Sequence, residues 1–388
     1  MNTETRKLFY ENPYQRTFFA RVLSCESQNG GYLVLLDRTA FYPEGGGQPC
    51  DIGVLNFANV TEVREKDGEI FHRIDRELPV GALVAGGINW PLRFARMQQH
   101  TGEHIVSGIS NRFFGGDNVG FHMSDSFLTV DWSRELTADQ LTLIETLANE
   151  AVYRNVPVVA EYPSPEALAK LDYRSKKELT GAVRIVTVPD YDVCACCGTH
   201  VSRTGEIGAI KILTSQRYKG GTRFTMACGS QAMADYSERL RSTQEISALL
   251  SAKPEEISVS VKQVLTESAN LKRQLSDIQE KMLEAQVATA PENGGKVCRF
   301  FDDLSPELLR KAALMLAQRC GTAAVFSGSG DSYRYAAADP AGDVRPVGKE
   351  LNQKLNGRGG GPKELVQGSL KAEREEIVRV LSGWMVLN

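Results

Sequence analysis

The sequence predicts an α+β protein in which a β-rich N-terminal part, a mixed central part and a small α/β C-terminal part are joined by a long helical segment. Short β-rich runs separated by glycine turns fill residues 1–90. Helical and strand-like patterns alternate from residue 91 to residue 233. Residues 234–288 contain no glycine and only one proline, Pro254, which is typical of long helices.

Length and composition indicate an ordinary globular chain that divides into domains. The 388 residues are 42% hydrophobic and 24% charged. We expect a β-barrel domain at 1–90, a mixed domain at 91–233, a helical linker or coiled coil at 234–290 and an α/β domain at 291–388. No apolar run approaches the ~20 residues that span a bilayer, and the N-terminus lacks the apolar core of a signal peptide. This favours a cytoplasmic protein with no membrane partner.

The N-terminal part is expected to form a compact sheet or barrel. Strand-like runs occur at 18–24 and 32–36, separated by the turn signal Asn29-Gly30-Gly31. Gly45, Gly46 and Gly47 follow, and three bare residues let the backbone adopt positive φ and approach a ligand or another domain closely. A triple glycine alone is equally typical of a tight turn.

The central part combines helices and strands in the way expected of an α+β domain. A helix begins near Pro91, and a second one is predicted over 137–153 from its capping residues and apolar spacing. Strand character is found at 126–132, 156–159, 183–188, 207–213 and 222–227, and a short helix is expected at 165–171.

Toward the C-terminus, the apolar 3-4 spacing over 261–285 predicts one long helix, or a helical hairpin broken near Pro254, that pairs within the chain or with a second copy. A small α/β unit follows, with helices at 306–319 and 371–384 and strands at 322–326 and 333–338. The loop at 356–362 (NGRGGGP) presents backbone amides that could hold phosphate, but it lacks the spacing of a P-loop.

Two short motifs nearly a hundred residues apart suggest a metal site. His100 and His104 are four residues apart on a predicted helix, so both imidazoles lie on one face. Cys196 and His200 form a second pair with the same spacing. Imidazole and thiolate are preferred zinc ligands, and pairs from distant segments commonly complete a tetrahedral site. The sequence therefore predicts one zinc ion, with the neighbouring Cys197 as an alternative thiol.

The formal net charge of -3 does not by itself indicate a nucleic-acid-binding protein. A basic face can nevertheless lie within a mildly acidic chain, because affinity for phosphate depends on the local field. A solvated surface is the alternative interpretation for the candidate basic residues, which are Arg203, Lys211, Arg217, Lys219, Arg223, Lys349, Lys354, Arg358, Lys363, Lys371 and Arg374.

Four ordered motifs resemble a known family. Residues 196–200 (CCGTH), followed by 203–208 (RTGEIG), are similar to the CGGTH signature of alanyl-tRNA synthetase editing domains, with Cys197 replacing its first glycine. Residues 100–104 (HTGEH) resemble the HxxxH motif of those domains, and 41–48 (FYPEGGGQ) resembles their glycine-rich motif. Residues 293–388 are more loosely similar to the DHH-associated C-terminal domain. Together they resemble the long form of AlaX, a family of freestanding alanyl-tRNA editing proteins.

The resemblance implies a function and a set of site residues. It implies zinc-assisted hydrolysis of the ester that joins serine or glycine to tRNA(Ala), with tRNA binding and homodimer formation through the C-terminal domain. The metal ligands are expected to be His100, His104, Cys196 and His200. Thr39, Gln98 and Glu103 are the candidate catalytic residues, and the candidate substrate-binding residues are Thr39, Gly45, Gly46, Gly47, His122 and Arg203.

Each of these residues also has a structural explanation. Thr39 is similar in placement to the threonine that meets the serine hydroxyl in this family, but a threonine at a strand end often bonds to the backbone instead. Glu103 is displaced by one position from the base of HExxH proteases. Four protein ligands suggest a closed structural zinc site, whereas catalytic zinc keeps a position open. A zinc-stapled tRNA-binding protein without hydrolytic activity is the main alternative, and a hydrolase of small esters is another.

Overall fold

The computed structural model describes residues 4–28, 30–175, 182–293 and 295–387. The chain forms two compact units, Met1–Ile246 and Ser247–Asn388. Both combine helices with sheets, which confirms the predicted α+β class. None of the described helices is long and apolar enough to cross a membrane.

The first unit begins with a strand-rich segment. Its elements are β1 (Arg6–Lys7), α1 (Leu8–Glu11), β2 (Thr17–Gln28), β3 (Gly31–Leu36), β4 (Arg38–Thr39), β5 (Gly53–Leu55), β6 (Ala58–Lys66), β7 (Glu69–Ile74) and β8 (Leu83–Ile88). Six of these strands pair in a closed ring, in the order β2-β3-β7-β6-β5-β8. Alternate residues of β2, Phe18, Ala20 and Val22, fill the interior because successive strand residues point to opposite faces.

The rest of the first unit is built around one long, buried helix. In chain order its elements are α2 (Trp90–Phe114), β9 (Asn118–Met123), β10 (Leu128–Trp132), α3 (Ala138–Arg154), β11 (Val159–Glu161), α4 (Pro165–Leu168), β12 (Ile185–Val188), β13 (Asp192–Ala195), a 3-10 helix (Thr204–Ile207), β14 (Ile210–Tyr218), β15 (Gly221–Cys228) and α5 (Ser230–Leu250). The sheet β14-β15-β10-β9 and the smaller sheet β11-β12-β13 both contribute to this region.

Helix α2 starts where the sequence predicts, because the Asn89 side chain accepts a hydrogen bond from Leu92 N and Pro91 occupies the first turn. Its middle is buried on every side, from Ala95 to Ser110. Gly108 permits this burial, because a Cβ there would overlap Tyr191 O at the start of β13. Strand β13 and the loop after it are thereby held against the helix.

Several predicted elements of the first unit differ in position. Within the extended segment predicted at 156–159, Pro157 forms an isolated bridge with Arg203, and the strand β11 begins at Val159. The strand predicted at 207–213 begins at Ile210, because the 3-10 helix at Thr204–Ile207 precedes it. The helix predicted at 165–171 is one turn, α4. Helix α3 matches its prediction, and the Thr137 and Gln140 side chains form a capping box at its start.

The second unit contains a long helix and a mixed six-stranded sheet. Its elements are a 3-10 helix (Pro254–Glu256), α6 (Ile257–Ala288), β16 (Gly295–Phe301), α7 (Pro306–Cys320), β17 (Gly321–Ser329), β18 (Ser332–Ala338), α8 (Arg345–Lys354), β19 (Arg358–Gly360), β20 (Leu365–Lys371), α9 (Arg374–Val380) and β21 (Met385–Leu387). The helical segment is broken near Pro254, as predicted. The final helix is shorter than predicted because Lys371 ends β20.

A buried ion pair fixes α2 to the strand-rich segment. Arg93 Nε donates to Asp51 Oδ1 and Oδ2 at 2.9 Å each, and Arg93 Nη2 donates to Ala40 O at 2.7 Å. The side chains are 0% and 1% exposed. Because neither charge reaches water, each depends on the other for compensation.

Asp51→Asn is expected to destabilise the first unit strongly, because it leaves the Arg93 charge buried without its partner. The expected loss is about 3 to 5 kcal/mol in the free energy of unfolding. Urea denaturation followed by tryptophan fluorescence measures it. Glu135→Gln is the matched control, since it removes an exposed pair with Arg217 and should cost less than about 1 kcal/mol. Equal unfolding midpoints for the two variants would contradict the assignment.

Candidate metal and ester-hydrolysis site

The structure brings together the four residues predicted as metal ligands. His100 and His104 lie one turn apart on α2, and Cys196 and His200 lie in the loop after β13. One donor atom from each residue lies within 4.8 Å of every other. The three rings surround a common point, with centroid separations of 5.3, 4.6 and 4.7 Å.

Each imidazole is held by a hydrogen bond at Nδ1. His100 Nδ1 meets Gln48 Oε1 at 2.8 Å, and His104 Nδ1 meets Asp192 Oδ2 at 2.9 Å. His200 Nδ1 meets Thr101 Oγ1 at 3.2 Å, while the Thr101 hydroxyl donates to Met97 O. All three partners therefore accept, so each Nδ1 carries the proton and each Nε2 presents a lone pair.

The donor set fits a zinc ion. Cys196 Sγ lies 3.3 Å from His100 Nε2 and 3.4 Å from His200 Nε2. Tetrahedral zinc bonds to nitrogen and sulfur place such atoms about 3.5 Å apart. Proton-bearing Nδ1 atoms bonded to oxygen are the usual outer contacts of histidine ligands. The residues present thus fit the metal by atom type, spacing and tautomer.

Electrostatics within the cluster couple the thiol to the imidazoles. Burial raises the pKa of Cys196. The charges of His100, His104 and His200 lower it by more than burial raises it, so the pKa lies well below its usual value. Burial lowers the pKa of His104, yet the Cys196 thiolate and Asp192 raise it well above normal. Burial holds the pKa of His200 at about 3. A bound cation would favour the thiolate of Cys196 in the same way as these imidazole charges do.

Cys196 is the thiol of this cluster. Cys197 is exposed and belongs to neither group of potential ligands within the described residues. Cys194 is buried, and its sulfur groups instead with His104 and Asp192. Cys194 is a buried residue of β13, whereas Cys196 and Cys197 lie in the loop that follows the strand.

Close packing at two glycines, Gly198 in the loop after β13 and Gly47 in the glycine-rich loop, supports the cluster. A Cβ at Gly198 would overlap the ring of His100, so only glycine permits the loop to pass this close. A Cβ at Gly47 would overlap the ring of Phe121. Phe121 in turn stacks on His100, with 5.4 Å between centroids and an interplanar angle of 27°. The position of His100 therefore depends on two glycines from different segments.

A cavity of about 540 Å³ opens beside the cluster. His100, His104 and Cys196 form part of its wall. Of the predicted substrate or catalytic residues, Gly46, Gly47 and Glu103 also line it. The Glu103 carboxylate is 2% exposed and accepts hydrogen bonds from Ser107 Oγ, at 2.6 Å, and from Asn118 Nδ2.

Thr39 and Gln98 are not among the residues that line this cavity, and their catalytic roles stay predictions. Thr39 is fully buried, its hydroxyl lies 2.8 Å from His72 Nε2, and it accepts from Phe41 N. This is the backbone-bonded strand-end setting considered as its alternative. The Gln98 amide donates to Glu206 O and accepts from Ser230 N. Gln98 faces away from the cluster because it precedes His100 by two residues, about 200° around the helix.

His122, Arg203 and Gly45 are also outside the cavity lining. His122 is exposed, because it follows Phe121 on β9 and therefore points to the opposite face of the sheet. The Arg203 guanidinium donates to Asn155 O, which ties the 3-10 helix to the end of α3. Gly45 forms the neck of the loop, where its N and O atoms pair with those of Gln48. The structure thus does not bring these three residues to the cavity, and their substrate-binding role stays a prediction.

Sequence reasoning missed the residues that orient the ligands. Gln48 ends the glycine-rich motif and Asp192 lies four residues before Cys196, but only the fold shows that they reach Nδ1 of His100 and His104. Thr101 directly follows His100, yet its hydroxyl contacts the ring of His200. The one available signal was chemical, since histidine ligands need an acceptor at the second nitrogen.

Two segments of the chain match known protein families. Residues 183–225, which include Cys196 and His200, match the family described as "Threonyl and Alanyl tRNA synthetase second additional domain". Residues 4–92, which include the closed ring of strands, match the family "tRNA synthetases class II (A)".

Two relatives cover nearly the whole chain. The alanyl-tRNA editing protein AlaX-L of Pyrococcus horikoshii is 28% identical over 390 residues, which cover 96% of each chain. The predicted resemblance to the long form of AlaX is confirmed. The alanine--tRNA ligase of Pyrobaculum neutrophilum is 34% identical over 409 residues, which cover 97% of this chain and 44% of the ligase. The chain thus spans less than half the length of the ligases that it matches.

One solved structure matches the sequence over a smaller region. The C-Ala domain of Aquifex aeolicus alanyl-tRNA synthetase is 30% identical and covers 23% of this chain and 92% of its own. The TM-score of this match is 0.21.

Asp192→Asn is expected to weaken zinc binding about 10- to 100-fold, because it removes the negative charge that His104 Nδ1 contacts. Competition with a chromophoric chelator measures the affinity. Asp190→Asn is the matched control, because it makes the same change two residues away at an exposed position. The backbone φ of Asp190 is 69°, a conformation that asparagine also adopts readily. Wild-type affinity in Asp192→Asn would contradict the orienting role.

Gly198→Ala is expected to lower zinc affinity about tenfold or more, because the new methyl group displaces the His100 ring. The same chelator assay applies, together with thermal unfolding to verify the fold. Gly45→Ala provides the comparison, since its Cβ would lie 3.5 Å from the nearest atom, the Tyr42 hydroxyl oxygen. Equal zinc affinity in the two variants would contradict the prediction that the close packing of Gly198 on the His100 ring is needed for zinc binding.

Proposed function

We propose that the protein is a zinc-dependent aminoacyl-tRNA deacylase that acts in trans on tRNA(Ala) carrying serine or glycine. The observation that supports this proposal most directly is the cluster of three histidines and a cysteine beside an open cavity. The match to an alanyl-tRNA editing protein along the full length of both chains supports the same assignment. We also propose four domains: a β-barrel domain at 1–90, a mixed domain at 91–233, a helical linker at 234–290 and an α/β domain at 291–388. The proposed location of the protein is the cytoplasm.

Ester hydrolysis needs an activated water and stabilisation of the carbonyl oxygen. Bound zinc supplies a Lewis acid and lowers the pKa of a water ligand to about 7. The chain supplies orientation: Gln48, Asp192 and Thr101 hold the three rings so that every Nε2 faces the same point. Among the described residues that line the cavity, Glu103 is the carboxylate available to take up a proton. We propose it as the acid-base group.

Cys196 differs from the imidazoles in its exposure. His100, His104 and Cys196 all line the cavity, but the three histidines are 2–4% exposed, whereas Cys196 is only partly buried. A ligand on the open side is the one that an entering substrate can crowd. This arrangement is compatible with a site where the histidines bind firmly and the thiol is the weaker ligand, which reconciles four protein ligands with hydrolysis.

The substrate preference follows from the energetics of small side chains. A synthetase pocket built for alanine cannot exclude glycine by size, and one methylene or hydroxyl gives only about 1–3 kcal/mol of discrimination. A second hydrolytic site therefore has a use. Since Thr39 is enclosed among strand residues, we place the discrimination of serine in the cavity lining, where Gly46 and Gly47 adjoin the cluster.

The second unit is proposed to bind tRNA and to form a homodimer. One face of α6 carries a row of exposed apolar side chains, which supports pairing with a second copy. Its members are Val261, Val264, Leu265, Leu271, Leu275, Ile278 and Met282.

Deacylation assays test the proposed function. Wild-type protein is expected to hydrolyse Ser-tRNA(Ala), Gly-tRNA(Ala) or both, to spare Ala-tRNA(Ala), and to lose at least about 100-fold in rate after zinc removal, with recovery on zinc addition. His104→Ala should lose both the metal and the activity. Cys197→Ala is the control for the metal and should retain it, because Cys197 lies outside the cluster.

The outcomes separate the alternatives. Binding of tRNA without hydrolysis would identify a zinc-stapled binding protein. Hydrolysis of small esters at the same rate as aminoacyl-tRNA would identify a general esterase. Full activity in a zinc-free preparation would overturn the metal-dependent mechanism.

A further inference from the structure

Two guanidinium groups lie on the wall of the cavity beside the cluster. Arg184 donates from Nη1 to Cys196 O and Gly198 O at 2.9 Å each, and its guanidinium carbon lies over the Tyr10 ring, 4.9 Å from the ring centroid. Arg174 donates from Nε to Asp192 Oδ1 at 2.7 Å and from Nη2 to Asp192 Oδ2 at 2.9 Å. Within the described part of the chain, these side-chain bonds leave the two protons on Nη1 of Arg174 available to a further acceptor.

Arg174 is held rigidly and close to the reacting centre. Its side chain is 17% exposed, and the bidentate pair with Asp192 fixes the plane of the guanidinium. Asp192 Oδ2 also meets His104 Nδ1, so one carboxylate separates Arg174 from a predicted zinc ligand. Arg174 borders a second cavity as well, which contains Arg112 and Asp190. The test below includes that cavity.

The chemistry of the proposed substrate identifies the acceptor. An aminoacyl ester on a terminal ribose carries an α-ammonium group and no negative charge of its own. The nearest anion is the phosphodiester that joins the terminal nucleotide to the one before it, one ribose away from the ester. Guanidinium is the side chain best matched to phosphate oxygens, through charge-assisted hydrogen bonds in a fixed plane.

We propose that Arg174 binds this terminal phosphodiester and thereby positions the ribose ester beside His104. The inference rests on the proposed function and extends it by naming the part of the nucleic acid that the cavity recognises. Asp192 then serves two purposes, since it orients His104 with one oxygen and fixes the guanidinium with both. Arg174 is a substrate-binding residue in this scheme and takes no part in proton transfer.

Two minimal substrates isolate the phosphate contact. The first is 3′-O-seryl-adenosine, which has no phosphate, and the second is the 3′-seryl ester of the dinucleotide CpA, which has the one phosphodiester in question. The measured quantity is the ratio of kcat/KM for the dinucleotide ester to that for the nucleoside ester. Arg174→Met is expected to lower this ratio about tenfold, mainly through KM, as loss of one charge-assisted contact predicts.

Controls separate substrate contact from support of the cluster. Thr101→Val should slow both esters in proportion and leave the ratio unchanged, because the Thr101 hydroxyl contacts the ring of His200 and therefore acts through the cluster. Arg112→Met, in the second cavity only, should change neither rate. Arg174→Lys keeps the charge without the planar fork and should retain part of the preference. Zinc content and thermal unfolding of each variant are measured alongside, and Arg174→Lys decides the question if Arg174→Met does not fold.

The results distinguish this inference from the function on which it rests. Equal losses on both esters in Arg174→Met or Arg174→Lys would reduce Arg174 to a structural support and overturn the inference alone. A lowered ratio in Arg112→Met would move the phosphate to the second cavity and overturn it as well. Failure of the wild-type protein to hydrolyse the esters, Ser-tRNA(Ala) and Gly-tRNA(Ala) would overturn the proposed function and the inference together.

Discussion

The hydrogen bonds to the Nδ1 atoms of the three clustered histidines are the constraint on which the site depends. Each bond fixes a tautomer and a ring orientation, so the three Nε2 lone pairs converge on one point. The acceptors come from a glycine-rich loop, from β13 and from α2 itself. Loss of one acceptor releases a ring that its backbone position alone does not hold in place.

This dependence makes the strand-rich segment part of the site rather than an appendage. Gln48 accepts from His100 and from Thr199 N, and its amide group donates to the Thr199 hydroxyl, so one side chain joins both ligand-bearing segments. The ion pair of Arg93 with Asp51 anchors the first turns of α2 to the same loop. Displacement of the loop would therefore move His100 directly, because Gly47 and Phe121 pack behind it.

Charge is balanced locally within this buried region. The pKa values of Cys196 and His104 shift in opposite directions because their charges attract each other, and Asp192 forms an ion pair with Arg174. In surroundings of low dielectric such pairs are costly to separate, so replacement of one member affects the others. The same argument explains how a group that supports a ligand can also present a cation to the cavity.

The sequence by itself determined the donor types, their spacing and the mixed fold class. Four-residue spacing places His100 and His104 on one face of any helix, and the resemblance of the motifs is carried by local residues alone. Tertiary structure decided which neighbours reach the donors. Thr39, His122 and Arg203 stand in or beside the motifs yet lie outside the cavity, whereas Gln48, Asp192 and Arg174 surround the cluster. The physical reason is that strand alternation, helix phase and close approach at Gly198 set the direction of each side chain, and these depend on contacts between segments far apart in the chain.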